Sequence, residues 1–165
     1  KNNFKQIFSP QTAYQMTSIL EGTIQRGTGK RLRDLNLQLA GKTGTTNNNT
    51  DTWFIGFTSN LVVGVFVGYD SPKKLGKYET GSKTALPIFK EFIKNAVNNY
   101  EARPFKISKG IKMMVIDAET GEKADFGSNK TIIESYKKEK FENQTFISND
   151  KYKSDIYKKN ILKFY

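Results

Sequence analysis

Residues 37–70 read LQLAGKTGTTNNNTDTWFIGFTSNLVVGVFVGYD, and the period of their apolar positions decides the fold. Residues 37–46 alternate in character as a strand does, and Asn47, Asn48 and Asn49 supply a turn. Residues 52–58 and 61–69 are two apolar runs separated by Ser59-Asn60, a spacing that predicts a tight hairpin. The second run is apolar at odd and even positions alike, so a strand buried from both sides is expected. The segment therefore predicts three antiparallel strands in succession.

Helical signals flank them. In residues 9–27, Ser9 can cap, Pro10 suits the first helical position, and Gly27 stops the run. Ala13, Met16, Leu20 and Ile24 follow the helical period and form the expected inward stripe. Downstream, residues 84–100 place Leu86, Phe89, Ile93, Ala96, Val97 and Tyr100 on one face of a second helix. Helix, three antiparallel strands and helix give an α/β (α+β) class: an antiparallel sheet packed by helices, with three core strands and two helices. Beyond Arg103-Pro104, residues 111–116 and 123–126 flank Ala118-Glu119-Thr120-Gly121, which predicts a small hairpin. After Gly127 the chain is polar and Lys-rich, so a short helix or irregular packing is expected near 132–140 and low order beyond. Three regions follow: 1–104 with the sheet and helices, a hairpin extension at 105–127, and a polar tail at 128–165.

Composition narrows the chemistry. The 165 residues are 36% hydrophobic and 13% aromatic, enough for a buried core, while a mean hydropathy of -0.61 reflects the polar segments. Neither Cys nor His occurs, which removes thiolate and imidazole metal sites, Ser-His and Cys-His pairs, and imidazole acid–base catalysis. Acyl transfer in such a chain must move its proton through Lys or a carboxylate, and no cofactor is expected. The net charge of +11 is spread from Lys1 to Lys163 and interleaved with acids, as in residues 134–142, ESYKKEKFE, so no nucleic-acid partner is expected. The apolar run at 61–69 is far shorter than the roughly 20 residues a membrane helix needs. Any targeting or anchoring segment is expected outside these residues.

The densest chemical signal is Gly41-Lys42-Thr43-Gly44-Thr45-Thr46. A phosphate-binding loop with this Gly-Lys-Thr would need glycine at position 36, where Asn36 stands, and a helix directly afterwards, where Gly44 and three asparagines follow. A strand edge accounts for the residues better. Side chains alternate along a strand, so Thr43 and Thr45 project together and offer two hydroxyls to a carboxylate, while Lys42 projects oppositely. Gly44 between them lets an extended peptide lie against the backbone and pair as an added strand. Lys42 adds a point charge that favours an anionic substrate and an ionised neighbouring hydroxyl. Together these residues describe a site for a peptide with a free carboxylate.

Four segments in order resemble one family: SPQTAYQMTSILEGTIQRGTGK, AGKTGTT, DTWFIGFTSNLVVGVFVGYD and ETGSKTALPIFKEF. They are similar to the carboxy-terminal part of the transpeptidase domain of class A penicillin-binding proteins, the synthases that also carry a glycosyltransferase domain. The similarity spans residues 9–104, weakens through 121 and is absent from the tail. It implies a serine D,D-transpeptidase that cross-links peptidoglycan stem peptides through an acyl-enzyme and is inhibited by β-lactam antibiotics, on the periplasmic or extracytoplasmic face of the cell membrane. It also implies roles: Lys42 and Thr45 catalytic, with Thr43, Gly44, Thr45 and Thr46 binding substrate. Lys42 would neighbour the serine of Ser-x-Asn, and the Thr45 amide would supply half of the oxyanion hole.

The family's other two motifs are not found. No serine has Asn two positions on, and Ser-x-x-Lys occurs at Ser71/Lys74, Ser135/Lys138 and Ser148/Lys151. The chemistry needs Ser and Lys one turn apart at the buried start of a helix, upstream of Lys-Thr-Gly, and none of the three fits. The nucleophile is therefore expected in an amino-terminal part of the same domain, outside this chain. Asp51, Trp53, Phe54 and Gly56 read as turn and core residues, and Asp117 and Glu119 as a hairpin turn. The alternative is a non-catalytic module that binds peptide or partner proteins, or a basic nucleic-acid binder.

Overall fold

A computed structural model describes residues 5–96 and 103–138. Helix α1 (Pro10–Gln25) starts where Ser9 stays extended and accepts the Thr12 amide on Oγ at 3.2 Å, with proline entering the first turn. A 3-10 segment, Lys30–Leu35, ends on Asn36 in the left-handed region, φ 53°, and delivers the chain to the sheet.

Strands β1 (Ala40–Thr45), β2 (Thr52–Phe57) and β3 (Val62–Val67) form an antiparallel sheet in that order, with Lys42 opposite Ile55 and Gly44 opposite Trp53. The expected hairpin at Ser59-Asn60 is closed by the Thr58 amide on the Leu61 carbonyl at 2.9 Å, and the Thr58 hydroxyl accepts the Leu61 amide in return. Helix α2 (Ala85–Ala96) lays Leu86, Phe89 and Ile93 on one sheet face, where they meet Phe54, Leu39, Leu32 and Ile24. Phe54 and Phe89 meet edge to face at 4.7 Å between centroids. Gly56 is the reason α2 sits this close: a Cβ there would stand 2.6 Å from the Phe89 ring. The helix is described as far as Ala96, and Val97 and Tyr100 of the expected stripe lie outside the described residues.

Two expectations about burial are corrected. Ala13 and Met16 do not face the core; Tyr14, Gly22 and Ile24 are the buried residues of α1, and Met16 and Ile19 are exposed. The inward face is set by polar anchoring to strand backbones: the Thr23 hydroxyl donates to the Gly41 carbonyl and the Gln15 amide to the Ser135 carbonyl. Strand β3 is partly buried, and on one face only. Val63, Val65 and Val67 pack toward the core, whereas Val62 and Phe66 lie open on the other side. Among the described residues β3 pairs with β2 alone, so it is an edge of this sheet.

The small hairpin is also corrected. The turn at 118–121 exists, with the Gly121 amide on the Asp117 carbonyl, but the returning segment makes only one bridge, Ile116 with Lys123. The main partner of β4 (Ile111–Asp117) is β5 (Thr131–Lys137), paired over its full length, where a short helix or irregular packing was expected. Lysine density masked a strand whose Ile132, Ile133 and Tyr136 suit a half-buried sheet. Arg26, which caps the end of α1, reaches Glu134 of β5 at 2.7 Å, docking this second sheet against α1. Residues beyond 138, where low order was expected, lie outside the described residues.

Candidate active site

Hydrogen-bond parity fixes which groups of β1 face outward. The Thr46 amide donates to the Asp51 carbonyl at 3.0 Å, so the alternate residues Gly44 and Lys42 also direct their backbone groups at β2. Thr43 and Thr45 then turn their N–H and C=O groups to the opposite edge, which pairs with no strand among the described residues. The Gly41 carbonyl on that edge is covered by the Thr23 hydroxyl of α1. A short open stretch at Thr43–Gly44–Thr45 remains, long enough for a peptide of two or three residues to pair.

Side chains line the two sides of that stretch differently. On one side Thr43 Oγ1 lies 3.1 Å from Thr28 Oγ1, and Thr45 Oγ1 accepts the Gly81 amide at 3.1 Å. Thr80 and Ser82 add a hydroxyl pair at 3.0 Å, and Arg31 Nη1 donates to the Ser82 carbonyl at 3.4 Å. The hydroxyls of Thr28, Thr43 and Thr45 thus gather beside the outward amides, an arrangement of donors suited to a carboxylate. On the other side lie Lys42 and Gly44, in register with Ile55 and Trp53. Lys42 Nζ curls over the edge and donates to the Thr43 carbonyl at 2.9 Å, with the Thr43 hydroxyl at 3.3 Å. Gly44 is pressed toward Trp53, whose Cβ would be 3.2 Å from an added methyl, so a larger residue there crowds the tryptophan and raises the floor of the edge.

Of the residues singled out in the sequence, Lys42, Thr43, Gly44 and Thr45 come together at this edge. Thr46 belongs to the adjoining turn: its hydroxyl accepts the Thr50 and Asp51 amides at 3.1 and 3.0 Å. Asp51 receives the Thr50 hydroxyl at 2.9 Å, and Phe54 and Gly56 lie in the core. Asp117 accepts the Thr120 and Glu119 amides, which hold its carboxyl below the usual carboxylate range and fit a turn role. Ser71 lies in a loop and Ser135 on β5; Ser148 is outside the described residues. Sequence reasoning missed Thr28, Gly81, Ser82 and Arg31. Their signal was the two hydroxyl-rich loops themselves, GTGK after α1 and ETGSKT before α2, whose convergence on β1 is a tertiary fact. Among the described residues no cluster of carboxylates could hold a metal ion, and no helix is long and apolar enough to cross a membrane.

Known proteins resemble this chain in sequence and in fold. Residues 1–94 match the family model described as the penicillin-binding protein transpeptidase domain. Penicillin-binding protein 1A of Rickettsia conorii is 46% identical over 139 residues, 82% of this chain and 17% of that protein. The protein of the same name from Pseudomonas aeruginosa is 40% identical over 136 residues, 82% of this chain and 16% of that one. The crystal structure of penicillin-binding protein 1A from Haemophilus influenzae superposes with a TM-score of 0.67 at 30% identity, covering 77% of this chain and 20% of that chain. This chain therefore spans about one sixth of the length of the relatives it matches.

Proposed function

Given that this chain belongs to the penicillin-binding protein transpeptidase domain family, we propose that it is the carboxy-terminal part of a serine D,D-transpeptidase in a class A peptidoglycan synthase. The observation that carries this is the open edge of β1, where the backbone of Thr43 and Thr45 faces outward beside the hydroxyls of Thr28, Thr43 and Thr45. A stem peptide pairs with that edge, its terminal carboxylate held by the Thr43 and Thr45 hydroxyls and balanced by Lys42. Its scissile carbonyl oxygen points at the Thr45 amide. A serine from the amino-terminal part of the domain attacks the carbonyl carbon, and the negative charge on oxygen is shared by the Thr45 amide and the serine's own amide. The terminal residue leaves, and the acyl-enzyme passes to the amine of a second stem peptide. A β-lactam enters as a peptide analogue and stays on the serine.

The apolar side of the sheet bearing Trp53, Ile55 and Phe66 supports a partner within the same domain, since these side chains are between 43% and 51% exposed. The enzyme works on the extracytoplasmic face of the membrane, anchored by segments outside this chain, and a glycosyltransferase domain belongs to the same synthase. Intact mass of the full synthase after incubation with a β-lactam tests the reading. One adduct per polypeptide, mapped to a Ser-x-x-Lys serine upstream of Lys1, is expected. No adduct would leave a peptide-binding module without catalysis, and an adduct on Ser71, Ser135 or Ser148 would move the nucleophile into this chain.

A further inference from the structure

The Thr43 hydroxyl lies between an ammonium and a second hydroxyl. Lys42 Nζ, at 3.3 Å, has no lone pair, so it donates and Thr43 accepts. Thr28 Oγ1, at 3.1 Å, can take either part. Thr43 has one proton and two lone pairs to distribute. If it donates to Thr28, its proton is committed, and a carboxylate, which only accepts, gains nothing from it. If Thr28 donates, both lone pairs of Thr43 are filled from behind and its proton is directed away from the two donors. We infer that Thr28 is a positioning residue, which donates to Thr43 and so turns the single Thr43 proton onto the substrate carboxylate; this rests on β1 being the strand that holds the donor peptide.

Thr45 is oriented in the same sense. The Gly81 amide can only donate, so it fills a lone pair of Thr45 Oγ1 and leaves that proton for a ligand. Two loops thus set the two strand hydroxyls from behind, one with an amide and the other with Thr28.

The loop that carries Thr28 is held to α1 and, through it, to β1. The amides of Gly27 and Gly29 both donate to the Thr23 carbonyl, at 3.1 and 2.9 Å, which leaves Thr28 as the one side chain between two glycines. A Cβ on Gly29 would stand 2.6 Å from Cδ1 of the fully buried Ile24, so the turn lies directly against the helix. Thr23 also donates its hydroxyl to the Gly41 carbonyl, two residues before Thr43. One residue therefore fixes the loop with its carbonyl and β1 with its hydroxyl, and the approach of Thr28 to Thr43 follows from both. Thr28 itself is exposed and stands outside the hydrophobic core.

The test uses the intact synthase and two ligands, a β-lactam with a free carboxylate and its methyl ester, compared by second-order acylation rates. The parent is expected to favour the carboxylate by more than about tenfold. Thr28→Val keeps the shape of the side chain and removes its proton, and is expected to lower the carboxylate-to-ester ratio by about tenfold. Thr28→Ser is expected to keep the parent ratio. In a Thr43→Val background, Thr28→Val is expected to change the ratio no further, because its effect passes through Thr43. The positioning role is overturned by a Thr28→Val enzyme that keeps the full preference or loses both ligands alike, or by a Thr28→Ser enzyme that behaves as Thr28→Val does. It is equally overturned by a Thr28→Val effect that persists without the Thr43 hydroxyl, which would make Thr28 a direct ligand of the carboxylate. A parent that reacts with both ligands equally, or with neither, overturns the carboxylate-binding strand itself, so the two failures are told apart.

Discussion

The Gly81 amide donates to Thr45 Oγ1 at 3.1 Å, so the loop that follows β3 is fastened to the residue whose backbone faces the free edge of β1. That loop has crossed the end of the sheet to get there, and it arrives without a side chain. A Cβ on Gly81 would lie 2.5 Å from the Trp53 carbonyl oxygen and 2.7 Å from that of Gly44. Both obstacles are backbone and cannot turn aside.

Gly81→Ala is accordingly expected to push the loop off β1. Overpacking of this kind costs about 1–3 kcal/mol, and the Thr45 hydroxyl loses its donor. Acylation of the intact synthase by a fluorescent β-lactam should fall by at least about tenfold, corresponding to roughly 1.4 kcal/mol. Ser82→Ala, next in the chain, removes a hydroxyl whose partner among the described residues is Thr80 in the same loop, and should change the rate by less than about threefold. Equal rates for Gly81→Ala and the parent would show that the loop does not position Thr45.

The outer face of the sheet predicts a contrast between the isolated chain and the whole domain. Ile55 is 50% exposed, in register with Lys42. In the isolated chain Ile55→Glu should shift stability by no more than about 0.5 kcal/mol, as surface changes do, and should lower binding of a hydrophobic dye. In the intact synthase the same change buries a charge against the rest of the domain and should destabilise it or abolish acylation. Tolerance in both settings would mean that nothing covers this face.

Much of this was legible because the decisive segment has short-range signals. Ser9-Pro10 marks a helix start whatever surrounds it, and Ser59-Asn60 between apolar runs dictates a hairpin and therefore its register. The misreadings share a cause. Ala13 and Met16 were assigned inward because they are apolar, yet α1 is oriented by Gln15, Thr23 and the adjoining Arg26 reaching strands that are distant in sequence. Strand β5 pairs with β4 across an intervening turn and loop, and the lysines at its ends, Lys130, Lys137 and Lys138, resemble a solvated tail until that pairing is known. Lys42 to Thr45 could be read as one strand edge; Thr28 and Gly81 could not, because only tertiary folding brings two loops to that edge.

Orienting α1 by its polar contacts leaves a carboxylate on the inward side. Glu21 follows Tyr14 by seven residues, on the same helical face, and burial pushes its carboxyl up to about 7 from an ordinary 4.5. The folded chain therefore holds a proton that the unfolded chain releases between about pH 4.5 and 7. Stability is expected to fall as pH rises through that window and to level off above it. Glu21→Gln should flatten the slope and be the more stable protein above about pH 7. Denaturant unfolding followed by Trp53, the single tryptophan, measures both chains. Parallel pH profiles would show that Glu21 is ionised in the fold throughout.

Thr45 is assigned a hydroxyl role and a backbone role, and three substitutions separate them. Thr45→Ser keeps the hydroxyl for the Gly81 amide and for the carboxylate, so acylation should stay within about threefold of the parent. Thr45→Ala keeps the outward N–H but strips the hydroxyl, which removes one charge-assisted bond to substrate, roughly 1.5–3 kcal/mol, and leaves the Gly81 amide without its acceptor. Thr45→Pro removes the N–H itself. Because that N–H faces the free edge and takes no part in pairing with β2, the ladder survives the change better than it would at Gly44. Loss of one oxyanion donor slows the chemical step by about 10²–10³, beyond what the missing hydroxyl explains. Second-order acylation rates with a fluorescent β-lactam rank the set, and circular dichroism verifies that Thr45→Pro stays folded. A folded Thr45→Pro that reacts no more slowly than Thr45→Ala would remove the Thr45 amide from the oxyanion hole and leave its hydroxyl as the group that matters.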